Sequence, residues 1–256
     1  MLIRINGLET YYRLEGRGAP VVLLHGWGVS HESFAALAPV LAERFQALSV
    51  DLPGFGWSQA PPHAWGTAEY RDHVAALLDG LAIGPASVLG HSFGGRIALR
   101  LAAEQPARVA RLVLVAGAGL RPPRSWRYYG RVGTAKLLKG LSSLPGCRGV
   151  GRRAMERWAG RVGSRDYRKA GAMRPTLVRL VNEDLAPLLS AVQAPTLILW
   201  GDQDREVGRV AMDTMQARIP RARLVVFPGA GHFPFVDAPV EFAESLLPFL
   251  SEGGQS

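Results

Sequence analysis

The sequence lacks several features that would place the protein in a specialised class. Of its 256 residues only Cys147 is a cysteine, so an internal disulfide is excluded and the fold must be stabilised by burial. No apolar run approaches the roughly 18 residues needed to cross a bilayer. The N-terminus also lacks the basic region and apolar run of a signal peptide. We therefore expect a cytoplasmic protein without a membrane span, and Cys147 as an ordinary unpaired thiol in a loop.

Acidic residues are scarce in one part of the chain. The net charge is +9, and residues 121–190 contain 16 basic and 4 acidic residues, so this segment carries +12 and the rest carries −3. Because the positive charge is confined to one segment, we do not expect nucleic-acid binding. A solvated basic face is one interpretation, and attraction of anionic substrates or surfaces is the other.

Apolar runs alternate with segments of helical periodicity along most of the chain. Residues 2–15 alternate around Asn6-Gly7, which predicts a hairpin. Short continuous apolar runs predict strands that are buried on both faces, at 21–24, 48–50, 87–89, 112–115, 196–200 and 224–227. Helical spacing predicts helices at 34–45, 70–81, 93–104, 210–218 and 240–250. This order is typical of an α/β protein with a mostly parallel sheet and helices on both faces.

The alternation of strands and helices stops at Gly119-Leu120-Arg121-Pro122-Pro123 and returns at Thr196. Residues 120–190 are basic, punctuated by glycine and predicted to be helical. Because the edges of this segment lie between consecutive strands of one sheet, we interpret it as an insertion. The predicted organisation is a core of residues 1–119 and 191–256 with a helical cap at 120–190.

Gly90-His91-Ser92-Phe93-Gly94 is the most specific motif of the sequence. It fits the G-x-S-x-G pattern and lies between a predicted buried strand and a predicted helix, which is the context that the pattern requires. The two glycines let the strand and helix approach closely, so that the chain turns sharply and the serine oxygen projects above the sheet. The motif predicts Ser92 as a nucleophile in a strained backbone conformation.

A serine hydroxyl needs a base that takes its proton before it can attack. His232 follows the last predicted strand, and its loop can bring it to the same end of the sheet as Ser92. Histidine can both accept the proton and return it to the leaving group. We therefore predict His232 as the base.

The base in turn needs an acid that fixes its tautomer. Gly201-Asp202-Gln203-Asp204 follows the strand at 196–200 and offers two carboxylates. We predict Asp204, because three residues past the glycine the chain has cleared the strand end and can turn inward. Asp202 is expected to support the turn. The order Ser92, Asp204, His232 separates this arrangement from the other common serine hydrolases.

The other five histidines are expected to have structural roles. His31, His63 and His73 have polar sequence neighbours, and we expect them at the surface. His25 and His91 belong to motifs, which we expect them to support without transferring protons.

The negative oxygen of a tetrahedral intermediate needs hydrogen-bond donors that are already in place. The backbone N–H of Phe93 directly follows the nucleophile at a helix N-terminus, where the helix dipole also helps. The second predicted donor is the N–H of Trp27, in the loop His25-Gly26-Trp27-Gly28 after the strand at 21–24. The side chains of Trp27, Phe93 and Phe233 indicate an apolar acyl pocket.

These segments together resemble the α/β-hydrolase superfamily. The matching segments are 25–28, 51–58, 90–95, 201–204 and 231–233, followed by Asp237 and Pro239. They cover the core, from about residue 2 to 118 and from 192 to 251. The resemblance implies an eight-stranded sheet and a helical cap over the site that sets substrate preference, with the segment at 51–58 in a structural role. Haloalkane dehalogenases have aspartate at the nucleophile position, so Ser92 excludes them.

The resemblance implies a serine hydrolase that needs no cofactor or metal. We expect cleavage of carboxylic esters of short to medium acyl chain through an acyl-enzyme intermediate. Two alternatives keep the same triad: a C–C bond hydrolase or lyase acting on an anionic metabolite, and a small-molecule receptor with the hydrolase fold. In each case the partner is a small molecule and not a nucleic acid, and both a monomer and a dimer stay open.

Overall fold

The computed structural model describes residues 1–121 and 165–252. The strands in these residues are β1 (Leu2–Ile5), β2 (Leu8–Glu15), β3 (Pro20–Leu24), β4 (Gln46–Val50), β5 (Ala86–His91), β6 (Val109–Val115), β7 (Thr196–Gly201) and β8 (Ala222–Phe227). Each strand predicted from an apolar run is present, extended by a few residues at one or both ends. The hairpin predicted at Asn6-Gly7 joins β1 to β2.

The eight strands that the structure describes form one sheet in the order β1-β2-β4-β3-β5-β6-β7-β8. The pairs β1–β2 and β2–β4 are antiparallel, and the remaining pairs are parallel. Parallel strands end at the same edge of a sheet, which is where open α/β sheets bind their ligands. The loops that follow β3, β5, β7 and β8 therefore begin at one edge.

The helices in the described residues are α1 (Leu37–Ala42), α2 (Thr67–Gly80), α3 (Phe93–Glu104), α4 (Arg165–Lys169), α5 (Arg174–Asn182), α6 (Arg209–Arg218), α7 (Pro234–Asp237) and α8 (Pro239–Ser251). The helix predicted at 34–45 is a 3-10 turn, His31–Phe34, followed by the short α1. Helix α7 was not predicted, because four residues are too few to show a helical period.

Apolar side chains cover both faces of the sheet. On β3, Val21 and Leu23 lie in one cluster with Leu41 of α1 and Phe242 of α8. Val22 and Leu24, which alternate with them along the strand, point to the opposite face and are also fully buried. Helix α3 packs on that part of the sheet, against β3, β5 and β6. The predicted α/β architecture, mostly parallel with helices on both faces, is confirmed.

The chain divides into two compact units, Met1–Arg121 with Val178–Ser256, and Pro122–Leu177. Of the second unit the structure describes residues 165–177, which contain α4 and the beginning of α5. Most of the predicted cap at 120–190, and Cys147 within it, lie outside the described residues. The division into core and cap therefore stays a prediction.

The segment after residue 178 is anchored on the helices of the first unit. The Glu183 carboxylate accepts hydrogen bonds from the Thr67 hydroxyl and from the Thr67 N–H at 3.1 Å. Thr67 begins α2, and a helix N-terminus favours a negative charge. Arg96 of α3 donates to the carbonyl oxygen of Leu180 at 2.9 Å. These contacts hold Leu180 and Glu183 against α2 and α3.

Candidate active site

Ser92 lies at the turn between β5, which ends at His91, and α3, which begins at Phe93. It has a φ of 49° and a ψ of −107°, a conformation that costs a non-glycine residue on the order of 1–3 kcal/mol. The Ser92 N–H donates to the carbonyl oxygen of Val115 at 2.9 Å, and its own carbonyl accepts from Ala118 at 3.2 Å. The chain leaving β6 thus holds the strained turn that the motif predicts.

Gly94 lets the first turn of α3 lie against the end of β3. A Cβ at this position would collide with the carbonyl oxygen of Leu24, so no larger residue fits. The Gly94 N–H donates to the carbonyl oxygen of His25 at 3.0 Å. The start of α3 is therefore fixed to the loop that contains Trp27.

His232 and Asp204 meet at the edge of the sheet where β7 and β8 end. The Nδ1–H of His232 donates to Oδ2 of Asp204 at 2.9 Å. The other carboxylate oxygen, Oδ1, accepts the backbone N–H groups of Glu206 at 2.8 Å and Val207 at 3.1 Å. Because the carboxylate can only accept, this contact fixes the proton of His232 on Nδ1 and leaves Nε2 for a second partner.

The Asp204 carboxylate is charged at neutral pH. Its side chain is fully buried, and burial alone would raise its pKa. The hydrogen bond and positive charge of His232, together with the N–H groups of Val207 and Glu206, outweigh burial and hold the pKa of Asp204 below its ordinary value. The stability that this group contributes is present above its ordinary pKa and is lost as the pH falls through the lowered pKa of the folded state.

Asp202 supports the turn beside Asp204, as predicted. Its Oδ1 accepts the N–H of Gly229 at 2.8 Å. In the same turn the Gln203 N–H donates to the carbonyl oxygen of Ala230 at 2.9 Å. These bonds tie the loop of the predicted acid to the loop of the predicted base.

The Nε2 atom of His232 faces a carboxylate that the sequence analysis did not consider. It lies 3.2 Å from Oε2 of Glu206. Within the described part of the chain no hydrogen bond joins Nε2 to Ser92 Oγ, although Ser92 adjoins His91, whose ring centroid lies 4.8 Å from that of His232. The sequence signal for Glu206 was its place two residues after Asp204 in the same loop.

The two predicted oxyanion donors lie on adjacent segments. Phe93 is the first residue of α3, so its N–H has no acceptor within the helix. The rings of Trp27 and Phe93 pack at a centroid distance of 5.6 Å. His25 fixes the loop before Trp27, since its Nδ1–H donates to the Gly26 carbonyl at 2.7 Å and its Nε2 accepts from the Leu52 N–H at 3.0 Å. Burial lowers the pKa of His25 to about 4, so this ring is neutral.

Aromatic side chains near this edge form two groups. Phe55 joins Trp27 and Phe93 in the first, with its ring centroid 4.8 Å from Trp27 and 5.8 Å from Phe93. Phe233 belongs to the second, 4.6 Å from the ring of His91. The structure therefore brings the rings of Trp27 and Phe93 into contact, and the ring of Phe233 packs on His91. It also adds Phe55, which no local sequence pattern indicated.

A comparison with known protein families agrees with this arrangement of strands and loops. Residues 21–245 match the sequence profile of the Alpha/beta hydrolase family. This chain is an α/β hydrolase. The resemblance inferred from the motifs is confirmed, and with it the general class of hydrolase.

Relatives of this α/β hydrolase act on different substrates. It is 29% identical over 259 residues to a 2-hydroxymuconate semialdehyde hydrolase of Pseudomonas sp., covering 96% of this chain and 92% of the relative. It is 33% identical over 251 residues to a pimeloyl-[acyl-carrier protein] methyl ester esterase of Chromobacterium violaceum, covering 92% and 95%. The solved structure of a membrane phospholipase A, a bacterial virulence factor, superposes with a TM-score of 0.76 at 26% identity, covering 100% of this chain and 86% of that one.

Removing the Glu206 carboxylate should increase the activity of this α/β hydrolase. Neutral Nε2 of His232 and the Glu206 carboxylate are both acceptors, so their contact is attractive only when His232 is protonated. In that state Nε2 has no lone pair to accept a proton from Ser92. The Glu206 side chain is 62% exposed, and such pairs contribute about 0.2–1 kcal/mol. We expect Glu206→Gln to raise kcat/KM for a p-nitrophenyl ester by up to about fivefold at low salt.

A matched control for this prediction is Glu9→Gln. Glu9 is also exposed and pairs with Arg4 at 3.4 Å, but it lies on β2. Added salt should reduce the difference between wild type and Glu206→Gln, because salt screens the pair. A Glu206→Gln enzyme slower than wild type would show that the carboxylate assists His232, the predicted base, and does not compete with Ser92, the predicted nucleophile.

Two histidines that were expected at the surface are buried, so that prediction was wrong. His31 is 7% exposed, and its Nδ1 lies 2.8 Å from Oδ1 of Asp51. His73 is 1% exposed, and its Nε2 lies 2.8 Å from Oγ1 of Thr10. Their partners come from distant segments, which polar sequence neighbours do not reveal. His63 is exposed, as predicted.

Two further features are absent from residues 1–121 and 165–252. No helix among them has the length and hydropathy to cross a bilayer. In the same residues, no group of three or more His, Cys, Asp or Glu side chains is placed to hold a metal ion. The cytoplasmic location stays a prediction.

Proposed function

We propose that this α/β hydrolase cleaves carboxylic esters of short to medium acyl chain through an acyl-enzyme on Ser92. The observation that carries the proposal is the hydrogen bond between His232 and Asp204 at the end of the sheet where Ser92 sits in its strained turn. A buried, charged acid on Nδ1 leaves Nε2 as the basic atom.

In the proposed acylation step, Ser92 Oγ attacks the carbonyl carbon of the ester while its proton passes to Nε2 of His232. The carbonyl electrons move to oxygen, and the N–H groups of Phe93 and Trp27 hold the resulting anion. When this intermediate collapses, the alcohol leaves with the proton from Nε2, and the acyl group remains on Ser92. Asp204 stabilises the imidazolium throughout.

In the proposed deacylation step, water attacks the acyl carbon and gives its proton to Nε2. The same two N–H groups hold the second tetrahedral anion. Collapse then releases the carboxylic acid, and Ser92 takes the proton back from His232. Each turnover consumes one ester and one water and restores the free site.

An apolar acyl chain is supported by the aromatic groups at the site and by the relationship to a pimeloyl ester esterase. We expect kcat/KM for p-nitrophenyl acetate, butyrate and octanoate to rise with acyl length. Each methylene that becomes buried contributes about 0.8 kcal/mol, or about a fourfold increase. Dodecanoate should fall below octanoate once the pocket is full. Equal rates for acetate and octanoate would contradict an apolar acyl pocket.

A second candidate function is hydrolysis of an anionic, non-ester metabolite by the same triad. It is favoured by the relationship to a 2-hydroxymuconate semialdehyde hydrolase and by the charge of +12 on residues 121–190, which include most of the proposed cap. Such a basic segment would draw carboxylates toward the site. If this function is correct, 2-hydroxymuconate semialdehyde will be turned over faster than any ester, and its kcat/KM will fall steeply with added salt.

A further inference from the structure

His91 is a buried histidine that the proposed reaction does not use. It is the last residue of β5, directly before Ser92, and it is 1% exposed. Its Nε2 lies 2.9 Å from the backbone carbonyl oxygen of His232. Because a carbonyl can only accept, Nε2 carries the proton and donates it to this bond.

This hydrogen bond joins two parts of the site that are 141 residues apart in sequence. One end is covalently next to the predicted nucleophile, and the other is the backbone of the predicted base. The ring of His91 also packs on its partners, with centroids 4.8 Å from His232 and 4.6 Å from Phe233. A movement of the base loop relative to Ser92 would have to break this bond and these ring contacts together.

The ring of His91 also touches the loop of the predicted oxyanion donor. A Cβ on Gly26 would lie 2.8 Å from Nδ1 of His91, so the ring fills the space beside this glycine. Gly26 directly precedes Trp27. One side chain therefore contacts the segments that carry the nucleophile, the base and an oxyanion donor.

The ring of His91 carries no charge at working pH. Burial, and then the nearby His232, lower the pKa of His91 to about 3. Within the described residues its Nδ1 has no hydrogen-bond partner. A neutral ring adds no second cation beside His232 when that residue takes up a proton.

We propose that His91 is a positioning residue that sets the distance between Ser92 and His232 through its bond to the His232 carbonyl. This inference rests on the proposed function, because it assumes that the two residues react together. A displacement of about 1 Å in such a site can reduce the rate about 100-fold. Loss of the bond should therefore lower kcat and leave KM nearly unchanged, since His91 is 1% exposed and offers almost no surface to a substrate.

The test compares pairs of variants that differ in the donor. His91→Phe keeps an aromatic ring without a donor, whereas His91→Gln places an amide N–H near the position of Nε2. His91→Met has the length of the glutamine variant and no donor, which keeps the comparison possible if the phenylalanine variant does not fold. The readouts are kcat and KM for p-nitrophenyl butyrate, and the rate at which a fluorophosphonate labels Ser92.

The control is His73→Phe. Like His91, His73 is buried, makes one hydrogen bond through Nε2 and has no partner at Nδ1 among the described residues. Burial lowers its pKa to about 4. Its hydrogen bond, however, goes to Thr10 on β2. The His73→Phe variant should lose thermal stability and keep the kcat of wild type.

We expect His91→Phe and His91→Met to lose about 10- to 100-fold in kcat and in labelling rate at every pH, and His91→Gln to recover most of this loss. The inference is overturned if the variants without a donor keep wild-type kcat, or if His91→Gln is as slow as His91→Met. A wild-type protein that neither hydrolyses esters nor reacts at Ser92 would instead overturn the proposed function, and the inference with it.

Discussion

Replacing Ser92 with alanine should lower kcat for p-nitrophenyl butyrate by about 10⁴- to 10⁶-fold. The variant has no oxygen that can form the proposed acyl-enzyme, so only the effects of the proposed oxyanion donors and of binding remain. Alanine adds no bulk, and the backbone bonds of residue 92 to Val115 and Ala118 do not involve the lost hydroxyl. The melting temperature should therefore stay close to that of wild type.

The matched control for this first variant is Ser245→Ala. Ser245 lies on α8, where its hydroxyl bonds the backbone carbonyl of Glu241 at 2.9 Å, and the site is not involved. A fluorophosphonate should label wild type and the control but not Ser92→Ala, with the modification on the peptide that contains residue 92. Undiminished hydrolysis by a folded Ser92→Ala protein would rule out the serine mechanism.

Replacing Asp204 with asparagine should lower kcat by about 10⁴-fold, although the two side chains have the same shape. In the wild type, the Asp204 carboxylate accepts from His232 at 2.9 Å and from two backbone N–H groups. An asparagine that keeps its carbonyl oxygen on Glu206 and Val207 would turn its amide N–H₂ toward Nδ1. Nδ1 would then have to accept, which moves the proton to Nε2 and removes the lone pair that Ser92 needs in the proposed mechanism.

Asp202→Asn is the control for this second variant, because it changes the same turn without touching the imidazole. Asp202 bonds the N–H of Gly229, so its replacement should cost about 1 kcal/mol of stability and little kcat. The comparison is made by steady-state kinetics and thermal unfolding on both proteins. Equal losses of kcat in the two variants would mean that the loss comes from disturbing the turn and that Asp204 has no special role as the acid.

Much of the core could be predicted because its signals are local. A strand covered on both faces must be apolar at every position, and the runs at 21–24 and 112–115 show this directly. The turn at Ser92 was also predictable, because a sharp strand-to-helix turn needs small residues at fixed offsets. The α1 region and α7 were less predictable, since short helices show too little of the helical period.

Features that depend on partners far away in the sequence could not be predicted in the same way. His73 has polar neighbours in sequence, yet Thr10 and the surrounding fold bury it. Phe233 follows the predicted base directly, yet its ring packs on His91 and not on Trp27. The position of Glu206, two residues after Asp204, placed it in the loop of the predicted acid, but it did not show that the carboxylate would reach Nε2 of His232.

The sequence by itself determined the strands and the longer helices of the core, the sharp turn at Ser92 and the pairing of Asp204 with His232. Each of these follows from spacing along the chain and from the rule that parallel strands end at one edge. Only the tertiary structure decided which groups contact His232. The Glu206 carboxylate lies at Nε2 of its ring, and the ring of His91 donates to its backbone carbonyl. The physical reason is that hydrogen bonds depend on positions to within a fraction of an ångström, and packing of segments far apart in sequence sets those positions.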